Sequence, residues 1–267
     1  MTVTVSIEGR VALFTIQRPE AYNALDIDTL KALRSHLIEF RDRDDLQVAV
    51  LTGAGAKAFC TGADLKKTTS SPATYAAAVF RSKDLSAEVG LYARLMDLND
   101  LDIWKPVIAA VNGYCLGGGL EIALQCDIRV ASTNASFGLP EPVVASIPGV
   151  SGVHRLLKAM PAAQAMKMAL TGKAISADEA LRWGLVSDVV GADELLNCAM
   201  EIANQIAANG PLAIQAIKKL ARQTAHLSDV DAQQLTELYW GTLRDTDDRK
   251  EGRAAFGAKR QPSFVGR

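Results

Sequence analysis

Residues 112–127 read NGYCLGGGLEIALQCD: three consecutive glycines, Gly117 to Gly119, run straight into an apolar helical pattern that carries one acid, Glu121. A loop stripped of side chains at a helix start leaves backbone N–H groups free to face an oxygen. The triple glycine by itself is equally consistent with tight packing of a helix on a strand. Glu121 adds weight to the first reading. An acid among Leu120, Ile122, Ala123 and Leu124 costs several kcal/mol if ionised and unpaired in a dry core, so it must be paired, protonated or functional. The helix start favours the anion by roughly 0.3–1 kcal/mol, which offsets only part of that cost.

Outward from this stretch, 267 residues of which 49% are hydrophobic are enough to bury a full core, as one large domain or one domain with an extension. Lys and Arg number 29 against 30 Asp and Glu, a net charge of −1, which gives no electrostatic footprint for nucleic acid. The N-terminus alternates like a strand and has no secretory pattern, and no apolar run reaches the roughly eighteen residues of a membrane span. Cys60, Cys115, Cys126 and Cys198 are scattered without a Cys-x-x-Cys, and His36, His154 and His226 lie far apart. That spacing predicts no metal site and makes the thiols small core residues in a reducing compartment. The expectation is a soluble cytoplasmic protein.

The stretch TVSIEGRVALFTI predicts a hairpin turning at Glu8-Gly9. Asp26 is placed to cap a helix with Ile27, Leu30, Leu33, Leu37 and Phe40 on one face. LQVAVLTG and KPVIAAVNG are nearly continuous apolar runs, as expected of strands covered on both faces. DIRVAS and ASFGLPE are short extended pieces. The segment from about Ala73 to Leu101 has one helical stripe, Leu85, Val89, Tyr92, Leu95 and Met96. After Pro148 the pattern is mainly helical, with a capping box at Ser176 and Glu179 and a helix opening at Pro211. Beyond about residue 206 no strand pattern remains, and Ile214, Ile217, Leu220, Leu235, Leu238 and Leu243 serve as helix anchors. The expected organisation is a core over 1–205 and a helical region over 206–267 that packs on the core or on a neighbouring subunit.

Two further stretches invite functional readings. In VAVLTGAGAKAFCTGADL, Gly53-x-Gly55-x-x-Ala58 follows a strand like a dinucleotide fingerprint, but Gly62 interrupts the required helix. No acid lies between Asp64 and Asp84 to bind a ribose, so the dinucleotide reading fails. What survives is a strand end followed by Thr61, Gly62 and Ala63, small enough for close approach of a ligand to the backbone. In SFGLPEPVV, Glu141 stands between Pro140 and Pro142. A surface turn explains it equally well, although two prolines would also hold a carboxyl in one place.

Taken together, RPEAYNAL, GAKAFCTGADLK, KPVIAAVNGYCLGGGLEIALQCDIRVAS, FGLPE, IPGVSGVHRL, TGKAISADEALRWGLVSDVV and EGRAAFGAKRQPSFVGR resemble the crotonase superfamily, the enoyl-CoA hydratases and isomerases. The resemblance implies an α/β fold, a spiral of ββα units with a C-terminal α-helical trimerisation region, assembled as a homotrimer or a dimer of trimers. It implies an acyl-coenzyme A thioester as ligand, with no separate cofactor. By position, Ala63 and Gly118 would supply the two N–H groups of an oxyanion hole. Ala21, Tyr22, Ala63, Asp64, Leu65, Lys66 and Gly117 would line the coenzyme A site, with Phe256 and Lys259 near its nucleotide end, in this subunit or an adjoining one. Such a hole is usually a principal source of rate, one donor being worth about 2.7–4 kcal/mol.

Hydratases of the superfamily carry both acids, whereas its isomerases typically keep only the second. The resemblance assigns Glu121 to activating water and Glu141 to protonating the α-carbon of a 2-enoyl-CoA. Val153, His154 and Pro142 depart from the usual pattern near the acyl pocket, and LPE with EALRWG is similar to crotonobetainyl-CoA hydratases. A hydratase for a specialised acyl group and an isomerase are therefore the alternatives on the same scaffold. An RNA-binding homologue is the alternative of a different class, and the near-neutral charge argues against it because phosphate contacts need cations.

Overall fold

The computed structural model describes residues 1–67 and 74–267. A hairpin, β1 (Val3–Glu8) and β2 (Val11–Ile16), turns at Gly9 and Arg10. Helix α1 (Ile27–Asp42) follows, its first turn capped by the Asp26 side chain, which accepts from the Thr29 N–H. The chain then winds in turns that deliver strands alternately to two sheets. β3 (Val48–Gly53) enters the large sheet and β4 (Ala58–Cys60) the small one. After the short helices α2 (Tyr75–Val79) and α3 (Lys83–Ser86) come β5 (Val107–Val111) in the large sheet and β6 (Tyr114–Leu116) in the small. Helix α4 (Gly118–Ala123) leads to β7 (Ile128–Ser132) and β8 (Ser136–Gly138), divided in the same way.

The second half adds α5 (Gly152–Ala159), α6 (Ala162–Thr171), β9 (Ile175–Ser176), α7 (Ala177–Arg182), β10 (Asp188–Val190) and α8 (Leu195–Ala207). Three helices close the chain: α9 (Pro211–Thr224), α10 (Asp229–Arg244) and α11 (Asp247–Gly257). The large sheet runs β1-β2-β3-β5-β7-β10, parallel except for the hairpin; the small one runs β4-β6-β8-β9, parallel except for its last pair.

Both faces of the large sheet are dry at its central strands β3 and β5, which explains their unbroken apolar runs, whereas the hairpin strand β1 at the sheet's edge is mostly exposed. Ala49 and Leu51 point to the interior core with Phe14, Phe59 and Phe137; Val48 and Val50 point the other way, onto α8. Leu195, Ala199, Ala203 and Ala207 recur every fourth residue of α8, and so small a stripe lets the helix lie close on the sheet. This helix runs through the 205/206 division read from the sequence, and Ala207 still packs on the large sheet. Burial pushes the Cys60 and Cys126 thiols up to about 12, as suits core residues.

One expectation needs correction. The single helix from about Ala73 to Leu101 begins outside the described residues, and from residue 74 it breaks into short turns. Gly90 at φ +100 and Val89 at φ −111 interrupt it, and a helical stripe cannot reveal a backbone break. After Pro148 the chain is mainly helical as expected, with two short strands, β9 and β10, too short to show alternation. The anchors of the last helices divide: Ile214, Leu220, Leu235 and Leu243 are half-buried, Ile217 and Leu238 are exposed, and α10 buries no residue within this chain. No helix among the described residues is long and apolar enough to cross a membrane.

Candidate active site

Because β4, β6 and β8 lie side by side and parallel, their following loops emerge at one edge of the small sheet. Those loops are Thr61-Gly62-Ala63, Gly117-Gly118 and Leu139-Pro140-Glu141. The carboxyl ends of parallel strands are where α/β proteins place ligands, since backbone groups there have no further strand partner. The Gly117 N–H donates to Gly138 O at 2.9 Å, tying the second loop to the third.

Each glycine of the triplet has its own reason. Gly117 takes φ +52 and ψ −127, a conformation L residues avoid, and a Cβ there would stand 3.0 Å from Glu141 Oε1. A Cβ on Gly118 would meet Met96 Sδ at 2.6 Å, and one on Gly119 would come within 2.1 Å of Cys60 O. So Gly119 is the tight helix-on-strand contact, whereas Gly117 and Gly118 shape the ligand edge.

The two loops that carry Ala63 and Gly118 touch: a Cβ on Gly62 would lie 2.8 Å from Gly118 N. Their N–H directions follow from peptide geometry. Gly62 O accepts from the Leu25 N–H at 2.7 Å, and no peptide among the described residues is cis, so the Ala63 N–H points away from Leu25. Gly117 O accepts from the Glu121 N–H at 3.0 Å, which turns the Gly118 N–H out of the helix start.

Glu121 and Glu141 share this edge but not the same surroundings. Glu121 is 2% exposed, and its Oε1 accepts from the N–H groups of Val150 (2.6 Å) and Gly152 (2.9 Å). Burial raises its pKa, those N–H groups oppose the rise, and the Glu141 charge adds to it. Burial also raises the Glu141 carboxyl, opposed by its own backbone N–H. Glu141 Oε2 is buried with no hydrogen-bond partner among the described residues. One acid is thus held in a fixed orientation by two donors that favour its anion, and the other keeps one buried oxygen unengaged.

The remaining predicted positions divide. Tyr22 is half-exposed beside the first loop: its carbonyl accepts from Thr61 Oγ1 and its ring lies 6.3 Å from that of Tyr114. Ala21 precedes it at the end of a one-turn 3-10 segment. Leu65 and Lys66 are exposed on the outer side of the GADLK stretch. The Asp64 carboxylate accepts from Arg18 Nη2 at 2.7 Å, and that contact holds it below the usual carboxylate range. Within one chain Phe256 is not brought to this edge. It lines a cavity of about 500 Å³ between the last helices with Trp240, Arg253 and Phe264, a cavity that includes neither glutamate. Lys259 lies just past α11, exposed, at φ +53. His154 is exposed and Val153 half-buried on the first turn of α5. Sequence reasoning gave no role to Val150 and Gly152, the donors that orient Glu121. The available signal was Pro148-Gly149-Val150-Ser151-Gly152, another small-residue loop before a helix, with Ser151 in the left-handed region at φ +64.

A family model described as enoyl-CoA hydratase/isomerase matches residues 6–267. The chain is 47% identical to (E)-benzylidenesuccinyl-CoA hydratase of Thauera aromatica over the full length of both proteins. It is 41% identical to carnitinyl-CoA dehydratase of Proteus mirabilis over 98% of each. Among solved structures, an enoyl-CoA hydratase from Bacillus anthracis superposes with a TM-score of 0.89 at 33% identity, covering both chains in full.

Proposed function

Since the chain belongs to the enoyl-CoA hydratase/isomerase family, the crotonase superfamily of enzymes acting on coenzyme A thioesters, we propose that it adds water across the 2,3 double bond of a 2-enoyl-CoA. The observation that carries this reading is the unequal pair of acids at one edge of the small sheet, Glu121 buried and Glu141 half-buried with one buried oxygen. Both are raised by burial, yet only Glu121 has two backbone donors that favour its anion. Environments that separate two carboxyls in this way assign the base and the acid.

The thioester oxygen lies between the Ala63 and Gly118 N–H groups, where negative charge develops as the β-carbon is attacked. Glu121 takes a proton from water while the water oxygen bonds to the β-carbon. Glu141, protonated, gives its proton to the α-carbon as the double bond is consumed. Glu121 ends protonated and Glu141 ionised, and solvent exchange restores both. Two acids so close titrate as a coupled pair, so the pH–rate profile reports macroscopic values. Coenzyme A enters as part of the substrate.

An isomerase needs one acid that shuttles a proton between two carbons, and Glu121 beside Glu141 favours the hydratase. The named substrates of the two relatives support a substituted acyl group over a plain chain. The test is a panel of plain, aryl-substituted, carboxylate-bearing and quaternary-ammonium 2-enoyl-CoAs, followed by loss of the conjugated thioester absorbance. Turnover of a substituted member above crotonyl-CoA is the expected result. Isomerisation of 3-enoyl-CoA with no hydration of any member overturns the hydratase reading.

A further inference from the structure

Arg18 is 7% exposed and sits at the start of the loop that leads into α1. Its guanidinium reaches two loops at once. Nη1 donates to Ala24 O in its own loop; Nη2 donates to Asp64 Oδ2 at 2.7 Å and lies 3.4 Å from Asp26 Oδ2. Asp64 therefore joins the GADLK loop to the loop before α1, and Asp26 completes the join by capping α1 and pairing with Lys67 at 2.7 Å. Between these two carboxylates lies the bridge of Leu25 to Ala63. In it the Leu25 N–H donates to Gly62 O, and the Asp64 N–H donates to Leu25 O at 2.9 Å. That bridge fixes the plane of the Gly62–Ala63 peptide, and hence the direction of the Ala63 N–H.

An isolated bridge of two hydrogen bonds has no neighbouring ladder to hold it, and the loop it restrains is rich in small residues. A planar cation whose Nη1 bonds Ala24 O on one side and whose Nη2 bonds Asp64 on the other supplies the missing rigidity, which an ammonium on a flexible stem would not. Asn23, fully buried at φ +56, strengthens the same assembly: its Oδ1 accepts from the Arg18 N–H, and its Nδ2 donates to Ala54 O and Ala58 O around β4.

We propose that Arg18, acting through Asp64, is a positioning residue for the oxyanion hole: the guanidinium strut holds the Leu25–Ala63 bridge and so aims the Ala63 N–H at the thioester oxygen. Asp64 serves this strut in place of a contact to coenzyme A. The inference rests on the thioester reading above, but its readout does not require hydration.

The probe is a 3-arylacryloyl-CoA carrying a para-dialkylamino group, whose absorbance shifts to longer wavelength when hydrogen bonds polarise its carbonyl. The wild-type chain is expected to bind the probe with a red shift. Arg18→Met, compared with Arg18→Lys and Asp64→Asn, is expected to bind with most of the shift lost. The turnover number is expected to fall roughly ten- to a hundredfold, short of the 100- to 1000-fold typical of deleting a donor outright. KM stays within about threefold, and a thioether analogue lacking the carbonyl binds as before, because the coenzyme contacts survive. Arg18→Lys recovers part of the shift by keeping one ion pair. A substitution that merely loosened the fold would weaken probe and thioether alike.

Should Arg18→Met fail to fold, Asp64→Asn carries the same test with a smaller loss expected. Unchanged shift and turnover in a folded Arg18→Met, or in Asp64→Asn if it alone folds, overturns the strut. A wild-type shift without hydration of any enoyl-CoA leaves the strut standing and sinks the hydratase reading. Probe binding by the wild type with no shift sinks both.

Discussion

The large sheet and the small sheet are built by the same turns of chain, yet they hold different kinds of residue. In the large sheet β3 and β5 bury every side chain, against Leu33 and Phe59 on one face and the alanine stripe of α8 on the other. In the small sheet β4, β6 and β8 have three residues each, and their ends open into loops carrying Ala63, Gly117, Gly118 and Glu141. Long strands satisfy their polar groups within the ladder. Short ones leave amides and carboxyls at the edge, where a ligand can use them. Stability and chemistry are thus separated along each turn of the spiral, and mutations should separate them too.

The largest contrast is expected from the acids. Glu121→Gln and Glu141→Gln should each lower the turnover number roughly a hundred- to ten-thousandfold, the usual range for a lost acid–base group. The folded fraction at 25 °C should not fall. A rate within threefold of wild type for either variant breaks the assignment of chemistry to the small-sheet edge. Next comes Gly119→Ala, whose Cβ would come within 2.1 Å of Cys60 O. Because the obstacle is backbone, α4 must move, with an expected cost of about 1–3 kcal/mol in denaturant unfolding and a parallel loss of activity. Here alone the two sheets' properties should change together.

In the large sheet, Val50→Ala removes buried methyls against α8. It should cost roughly 2 kcal/mol while the turnover number stays within about twofold. A large activity change there would mean that the site is not insulated from the sheet. The smallest effect concerns pH. The folded-state pKa values of Glu121 and Glu141 lie above the unfolded value, so between the two the folded chain binds more protons than the unfolded chain. Stability should therefore fall as pH rises from the unfolded carboxyl value through the folded ones. Glu141→Gln removes part of that fall, so its melting temperature should exceed wild type's at pH 8 and match it near pH 4. Equal differences at both pH values would show that burial does not raise the Glu141 carboxyl.

Much of the scaffold was legible in the residue pattern. Asp26, Leu30, Leu33 and Leu37 declared α1, the unbroken valine and alanine runs declared β3 and β5, and Ser176 with Glu179 declared the start of α7, where both halves of the capping box form. Most of the small sheet escaped because strands of two or three residues leave no period to read. Gly90 broke an expected helix because side-chain spacing continues across a backbone kink. At the last helices the apolar positions are real, but Ile217, Leu238 and Phe256 remain exposed in the chain.

By itself the sequence marked the residues proposed to carry the chemistry, two embedded acids and small-residue loops, and an order of motifs specific enough to reveal the superfamily. These follow from local cost, since an acid in an apolar run or a glycine at a helix start must have a reason. Only the tertiary structure decided how they meet. The Val150 and Gly152 amides that orient Glu121 and the Arg18–Asp64 ion pair each join segments 29 or more residues apart, and the bare Glu141 oxygen is set by the packing around it. Hydrogen-bond direction between distant loops is set by strand register and loop packing, and no local pattern encodes it.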